Sequence, residues 1–181
     1  MKRPSIHLIG QRLRRVRARN VIAVSTTGLA LIAFAALAKP SPWLVWNASA
    51  SAPIGLYRVV AGTPVHGDLV LASPPEFTIG LADERGYLPR NVPLLKRVAA
   101  LPREHVCAFY EAIIISGEIV ARRLSTDRQG RQLAWWNGCQ ALGNDEVFLL
   151  GAGAANSFDS RYFGPVPVRN IIGRVVPLWT E

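Results

Sequence analysis

The sequence predicts a mostly β protein carrying one N-terminal transmembrane helix. A run of eighteen uncharged residues, Val21 to Ala38, stands close to the N-terminus. Beyond Lys39 the chain consists of short Val-, Ile- and Leu-rich runs bounded by Gly, Pro, Asn or Asp, the pattern of strands and turns. Past residue 40 no long segment carries the 3.6-residue period of an amphipathic helix.

Composition agrees. The chain has 181 residues, the length of one ordinary domain plus a short extra segment. Half of them are hydrophobic, which excludes a disordered chain, and 13 Pro with 15 Gly favour many turns over a helical bundle. The net charge is +9. Residues 1–20 hold Lys2, Arg3, Arg12, Arg14, Arg15, Arg17 and Arg19 and no acid, so the rest is nearly neutral. That balance argues against a domain built to grip nucleic acid.

Taken in order, residues 1–20 form a basic cytoplasmic leader and 21–38 the anchor. At ~1.5 Å per residue the apolar run spans roughly 27 Å, enough for the hydrocarbon layer. Basic residues before it place the N-terminus in the cytoplasm by the positive-inside rule. Residues 39–181 then form a periplasmic domain, with the anchor in the inner membrane among its lipids. Trp43 and Trp46 stand where an interfacial aromatic belt would lie. Ser25, Thr26 and Thr27 inside the span are expected to bond their own helix backbone. A cleavable signal peptide ending at Ala36-Leu37-Ala38 is the alternative; the long apolar run and long leader favour an uncleaved anchor.

Strands are predicted at Leu56–Val60, Asp68–Ala72, Leu94–Ala100, Val106–Tyr110, Ala112–Ile115, Glu118–Arg122, Val147–Leu150 and Ile171–Leu178. Ser116-Gly117 reads as the turn of a hairpin. Cys107 and Cys139 are the only cysteines, and in an oxidising compartment they most simply pair; two buried free thiols are the alternative.

Chemistry has few candidate carriers. His66 and His105 read as surface residues, and His7 lies in the leader. No HExxH, Walker loop or dinucleotide fingerprint occurs, so no metal or cofactor is expected. The Gly151-Ala152-Gly153 stretch opens no long helix, which argues against a phosphate cradle. Lys96 stands out, because it interrupts an apolar strand and only Lys39 accompanies it after residue 38. Such a lysine either snorkels to the surface or is buried with a lowered pKa, helped by the adjacent Arg97. A neutral lysine can take a proton from a serine hydroxyl. Candidate serines are Ser49 and Ser51, in a small-residue loop that leads into a strand. A second polar cluster, Asn156 to Arg161, contains Ser157, with Asp159 and Arg161 placed to share a face of an extended segment.

Together these segments resemble the type I signal peptidase family of membrane-anchored serine proteases with a Ser/Lys dyad. Four boxes follow the family's order over residues 51–165: Ser49-Ala50-Ser51 with Pro53, Gly67-Asp68-Leu69-Val70, Lys96 to Pro102, and Asn156 to Arg161 with Gly164. Departures point to a subfamily. Pro53 falls one place early, Ala52 replaces the usual Met, and Arg103-Glu104 stands where Gly-Asp is usual. The Ser-x-Pro-x-Gly-Leu-Tyr form, the Ser157 to Pro165 run and the two Cys look like the TraF-like conjugative-transfer peptidases.

The resemblance implies a signal-peptidase-like β-rich catalytic domain with an exposed apolar surface near the membrane. It implies Ser51 as nucleophile, Lys96 as general base and Ser49 as an oxyanion donor. Ser157 would orient the lysine, and Asp159 and Arg161 would form a supporting pair. The implied substrate is a pilin precursor or another exported preprotein, with a linear or a cyclic product, and conjugation-apparatus proteins as partners. A general signal peptidase and a non-catalytic secretion scaffold are the rival readings.

Overall fold

The computed structural model describes residues 6–38, 41–152 and 156–181, with helix side chains from Val16 to Leu37. Lys2, Arg3, Lys39 and Gly153 lie outside the described residues. The chain divides into two compact units, Met1–Ser41 and Pro42–Glu181.

Among the described residues the first unit holds one helix, α1 (Ile6–Ala38). Its Val16–Leu37 stretch has a mean hydropathy of 1.9, and none of its residues is buried. It is long and apolar enough to cross a membrane. Thr26 Oγ1 donates to Ile22 O at 2.9 Å, which satisfies that hydroxyl inside the helix. The helix also runs back into the basic leader, since nothing in Gln11 to Asn20 breaks it.

The second unit is built of antiparallel strands: β1 (Leu44–Asn47), β2 (Gly55–Val60), β3 (Leu69–Ala72), β4 (Leu94–Ala100), β5 (His105–Phe109), β6 (Ala112–Ile115), β7 (Glu118–Arg122), β8 (Gly138–Ala141), β9 (Glu146–Leu150), β10 (Val166–Pro167) and β11 (Ile171–Thr180). They form one sheet in the order β1-β2-β11-β3-β4-β9-β10 and another in the order β7-β6-β5-β8. Each predicted strand is present. β1, β8, β10 and a short helix α2 (Glu76–Glu84) were not expected. α3 (Ser160–Phe163) occupies part of the polar cluster that was read as extended.

Burial alternates along β5 and β6, whereas β3 and β9 are buried on both faces. Val70, Val98, Val147, Leu149 and Val166 pack together on one side of the larger sheet. Tyr57, Leu71, Leu95 and Val175 make a second cluster. Val106, Ala108, Ile113 and Phe148 join the two sheets. The hairpin turn forms as expected, with Ser116 at φ 52° and Gly117 at φ 84°, the left-handed pair that matches the twist of its strands. Cys107 and Cys139 face each other across β5 and β8 and form a disulfide.

β4 lies between β3 and β9, so both its edges are paired, and Lys96 and Val98 are buried while Arg97 between them is exposed. Lys96 sits opposite Val70 in that ladder. β1 and β2 form the hairpin whose connecting loop carries Ser49 and Ser51. These two parts of the sheet are joined through β11, which pairs with β2 on one side and β3 on the other.

Candidate active site

Lys96 is only 4% exposed. Its Nζ donates to Ser157 Oγ at 2.7 Å. Burial pushes its pKa down to about 8; the Asp159 carboxylate raises it and the Arg161 guanidinium lowers it. The adjacent Arg97 plays no part in this. Strand alternation turns its side chain to the opposite, exposed face, where it donates to Gly67 O. The like charge that acts on Lys96 is Arg161, from another element.

Ser157 is placed by its surroundings. An added Cβ at Gly151 would stand 2.1 Å from Ser157 Oγ, so only glycine leaves room there. Gly151 N donates to Asp159 Oδ2 at 2.7 Å. Asp159 is fully buried and forms a two-point ion pair with Arg161, Nε to Oδ1 at 2.8 Å and Nη2 to Oδ2 at 2.7 Å. Pairing is therefore as expected, but the backbone is not extended throughout. Asp159 caps α3, its carboxylate accepting from Arg161 N. Ser160 Oγ accepts from Leu149 N at 3.0 Å, which ties α3 to β9.

The serine loop is organised by Asn47, which sequence reasoning did not single out. Its Oδ1 accepts from Ser49 N at 3.1 Å and from Ser49 Oγ at 2.9 Å. Its Nδ2 lies within 3.0 Å of the carbonyls of Ser49, Ala52 and Pro53. One buried amide thus folds the loop back on itself. Ser49 Oγ and Ser51 Oγ are 2.8 Å apart. Ser51 O accepts from Ala152 N at 2.8 Å, anchoring the loop beside β9. Ser51 N donates to no group among the described residues. The Gly67-Asp68 box is structural: Asp68 pairs with Arg174 of β11 at 2.7 Å, and Val98 N donates to Asp68 O beside the lysine.

Ser49, Ser51, Lys96 and Ser157 all line one cavity of about 710 Å³. Its walls include Leu71, Leu95, Tyr87 and Tyr162. The structure therefore brings together Ser49, Ser51, Lys96 and Ser157. Ser51 Oγ is hydrogen-bonded to Ser49, and no hydrogen bond joins it to Lys96 among the described residues. His66 is exposed and pairs with Glu104 at 2.7 Å, and His105 is exposed too, so neither serves this cavity. Among the described residues no cluster of His, Cys, Asp and Glu could hold a metal.

A buried amine of lowered pKa beside serine hydroxyls is the chemistry of a serine peptidase that works without histidine. The family model described as "Signal peptidase, peptidase S26" matches residues 16–179. The chain belongs to that family and is a serine peptidase. It is 33% identical over 165 residues to an Escherichia coli plasmid transfer protein TraF, covering 85% of this chain and 89% of that protein. It is 36% identical over 145 residues to a conjugal transfer protein TraF of Agrobacterium fabrum (strain C58 / ATCC 33970), covering 74% and 81%. A signal peptidase I of Leptolyngbya laminosa is 32% identical over 117 residues, covering 64% of this chain and 53% of that protein. A crystal structure of signal peptidase I from Enterococcus faecalis V583 aligns with a TM-score of 0.40 at 19% identity, over 65% of this chain and 100% of that one.

Proposed function

We propose that this chain is a membrane-anchored endopeptidase of conjugative transfer that processes an exported pilin precursor with a Ser51/Lys96 dyad. The observation that carries the reading is Lys96, buried in an apolar strand with its pKa lowered to about 8, lining the same cavity as Ser51. The similarity to plasmid and conjugal transfer proteins named TraF supports the conjugative role over a housekeeping one.

The reaction begins when the Ser51 hydroxyl leaves Ser49 and turns to Lys96. Neutral Lys96 Nζ takes the Ser51 proton as Oγ attacks the scissile carbonyl carbon. The Ser51 N–H and the Ser49 hydroxyl stabilise the oxyanion, and losing one such donor typically costs ~10²–10³ in rate. To reach the oxyanion, Ser49 swings its hydrogen away from Asn47 Oδ1. The Lys96 ammonium returns the proton to the leaving amine, and an acyl ester on Ser51 remains. Water attacks that ester, giving a linear product and freeing Ser51. If the substrate's own α-amine attacks instead, the same ester closes into a ring. The ester already holds the energy of the new peptide bond.

The test is the intact mass of the co-expressed pilin-like subunit. Wild type should trim it, and Ser51→Ala and Lys96→Ala should leave it full length. A trimmed species one water lighter than the linear peptide identifies ring closure. A subunit trimmed equally by Lys96→Ala would overturn the dyad.

A further inference from the structure

The walls of the catalytic cavity are basic. They carry Arg85, Arg128 and Arg131 besides Lys96, against a single acid, Asp127. Asp127 is already engaged. It pairs with Arg131 Nε at 2.6 Å, accepts from Tyr87 OH at 2.5 Å, and accepts from the backbone N–H groups of Gln129 and Arg131 at 2.9 Å. Those bonds hold its carboxyl well below the usual carboxylate range. Arg131 and Asp127 therefore cancel, and the charges of Arg85 and Arg128 are left over.

Both of these guanidinium groups meet neutral acceptors. Arg85 Nη1 donates to Gln132 O at 2.7 Å and reaches Tyr87 OH at 3.5 Å. With the Asn156 amide oxygen turned toward it, Arg128 donates from Nε and Nη2 to Oδ1, both at 2.8 Å. Neither forms an ion pair among the described residues. Asn156 precedes Ser157, the hydroxyl that receives the Lys96 bond. A planar fork holding a neutral amide oxygen is shaped to take a carboxylate in its place, through two parallel charge-assisted bonds.

We propose that Arg128, with Arg85 adding to the local field, forms a carboxylate subsite, so that the preferred peptide carries an acidic group beyond its scissile bond region. This rests on the endopeptidase reading above and adds a substrate class to it. The carboxylate is either a Glu or Asp side chain or a free C-terminus. Both offer the same two oxygens, and the experiment separates them.

The experiment uses the full chain in detergent micelles and fluorescent Ala-rich peptides. Glu is moved one position at a time along the peptide, with Gln as its neutral isostere. Each peptide is made with a free C-terminal acid and with an amide. Binding is read with Ser51→Ala, so turnover does not intrude. At least one Glu/Gln pair or acid/amide pair should differ roughly fivefold in Kd, the upper end for a solvent-exposed ion pair. The Glu/Gln arm identifies a side chain, and the acid/amide arm a terminus. The difference should vanish with Arg128→Ala, reverse toward Lys peptides with Arg128→Glu, and persist with Asn156→Ala. Equal Kd values throughout would overturn the subsite. So would a preference lost on Asn156→Ala, because Arg128 would then be serving its loop. Cleavage by the wild-type chain, absent in Ser51→Ala, reads the peptidase separately. Equal Kd values with cleavage intact remove the subsite alone, whereas loss of all cleavage removes the reading beneath it.

Discussion

Lys96 is a primary amine bonded to one hydroxyl and influenced by the charge of Asp159, and the general-base role proposed for it requires the uncharged form. Its pKa of about 8 gives the pH dependence its sign. Below that value the ammonium dominates and cannot accept a proton, so kcat/KM should rise about tenfold per pH unit toward 8 and level off above it. A pH–rate profile that is flat from 6 to 9 would contradict this assignment. Lys96→Arg should lose ~10³-fold or more, since a guanidinium stays charged at every working pH. Gly151 gives a subtler test. The methyl of Gly151→Ala would fall 2.1 Å from Ser157 Oγ and displace the hydroxyl that seats the lysine. About a hundredfold loss of kcat/KM is expected, the cost of an ångström-scale misplacement. Lys96 was legible in the sequence because a lone lysine in an apolar strand is conspicuous. Gly151 and Asn47 were not. The value of each depends on atoms that fold back onto it, and no spacing announces that.

At the scale of elements, strands made of Val-, Ile- and Leu-rich runs bounded by turn residues were legible and the others were not. β8 is Gly-Cys-Gln-Ala, an exposed edge strand with no apolar alternation. Its pairing to β5 and the disulfide hold it, rather than a buried face. α2 is nine residues long, too short for a helical period to rise above a strand-rich background. β1 is four residues between a proline-containing segment and the serine loop. Its place depends on β2, which Gly55 brings so close to Trp179 that a Cβ would stand 2.1 Å from the carbonyl oxygen. The disulfide spans 32 positions and lies in the smaller sheet, whereas Lys96 lies in the larger. The Cys107→Ser/Cys139→Ser double variant should therefore lose about 3–4 kcal/mol by the loop-closure relation while retaining kcat/KM below its melting temperature. Thermal unfolding and peptide cleavage measured on the same sample check both halves. A variant with unchanged Tm would show that strand pairing alone holds β8.

For the whole molecule, the arrangement of the larger sheet matters more than any one strand. Hairpin β1–β2 carries the serines and β4 the lysine, yet the two are not adjacent. The last strand, β11, is inserted between β2 and β3 and completes the connection. This could not be read from the sequence, because Ile171–Leu178 shows only that it is a strand, not which partners it takes. Deleting residues 171–181 should abolish activity even if the smaller sheet still forms its disulfide. Thiol mapping of the truncated chain, beside a cleavage assay, checks this. An active truncated chain would refute the sheet order. The order also has a temporal meaning. A ribosome releases a chain from its N-terminus onward, so β11 emerges after every other strand among the described residues. The serine loop and the lysine strand are both complete long before the strand that brackets them exists. Until β11 is made, the nascent chain has the serine hairpin and the lysine strand but not the strand that joins them.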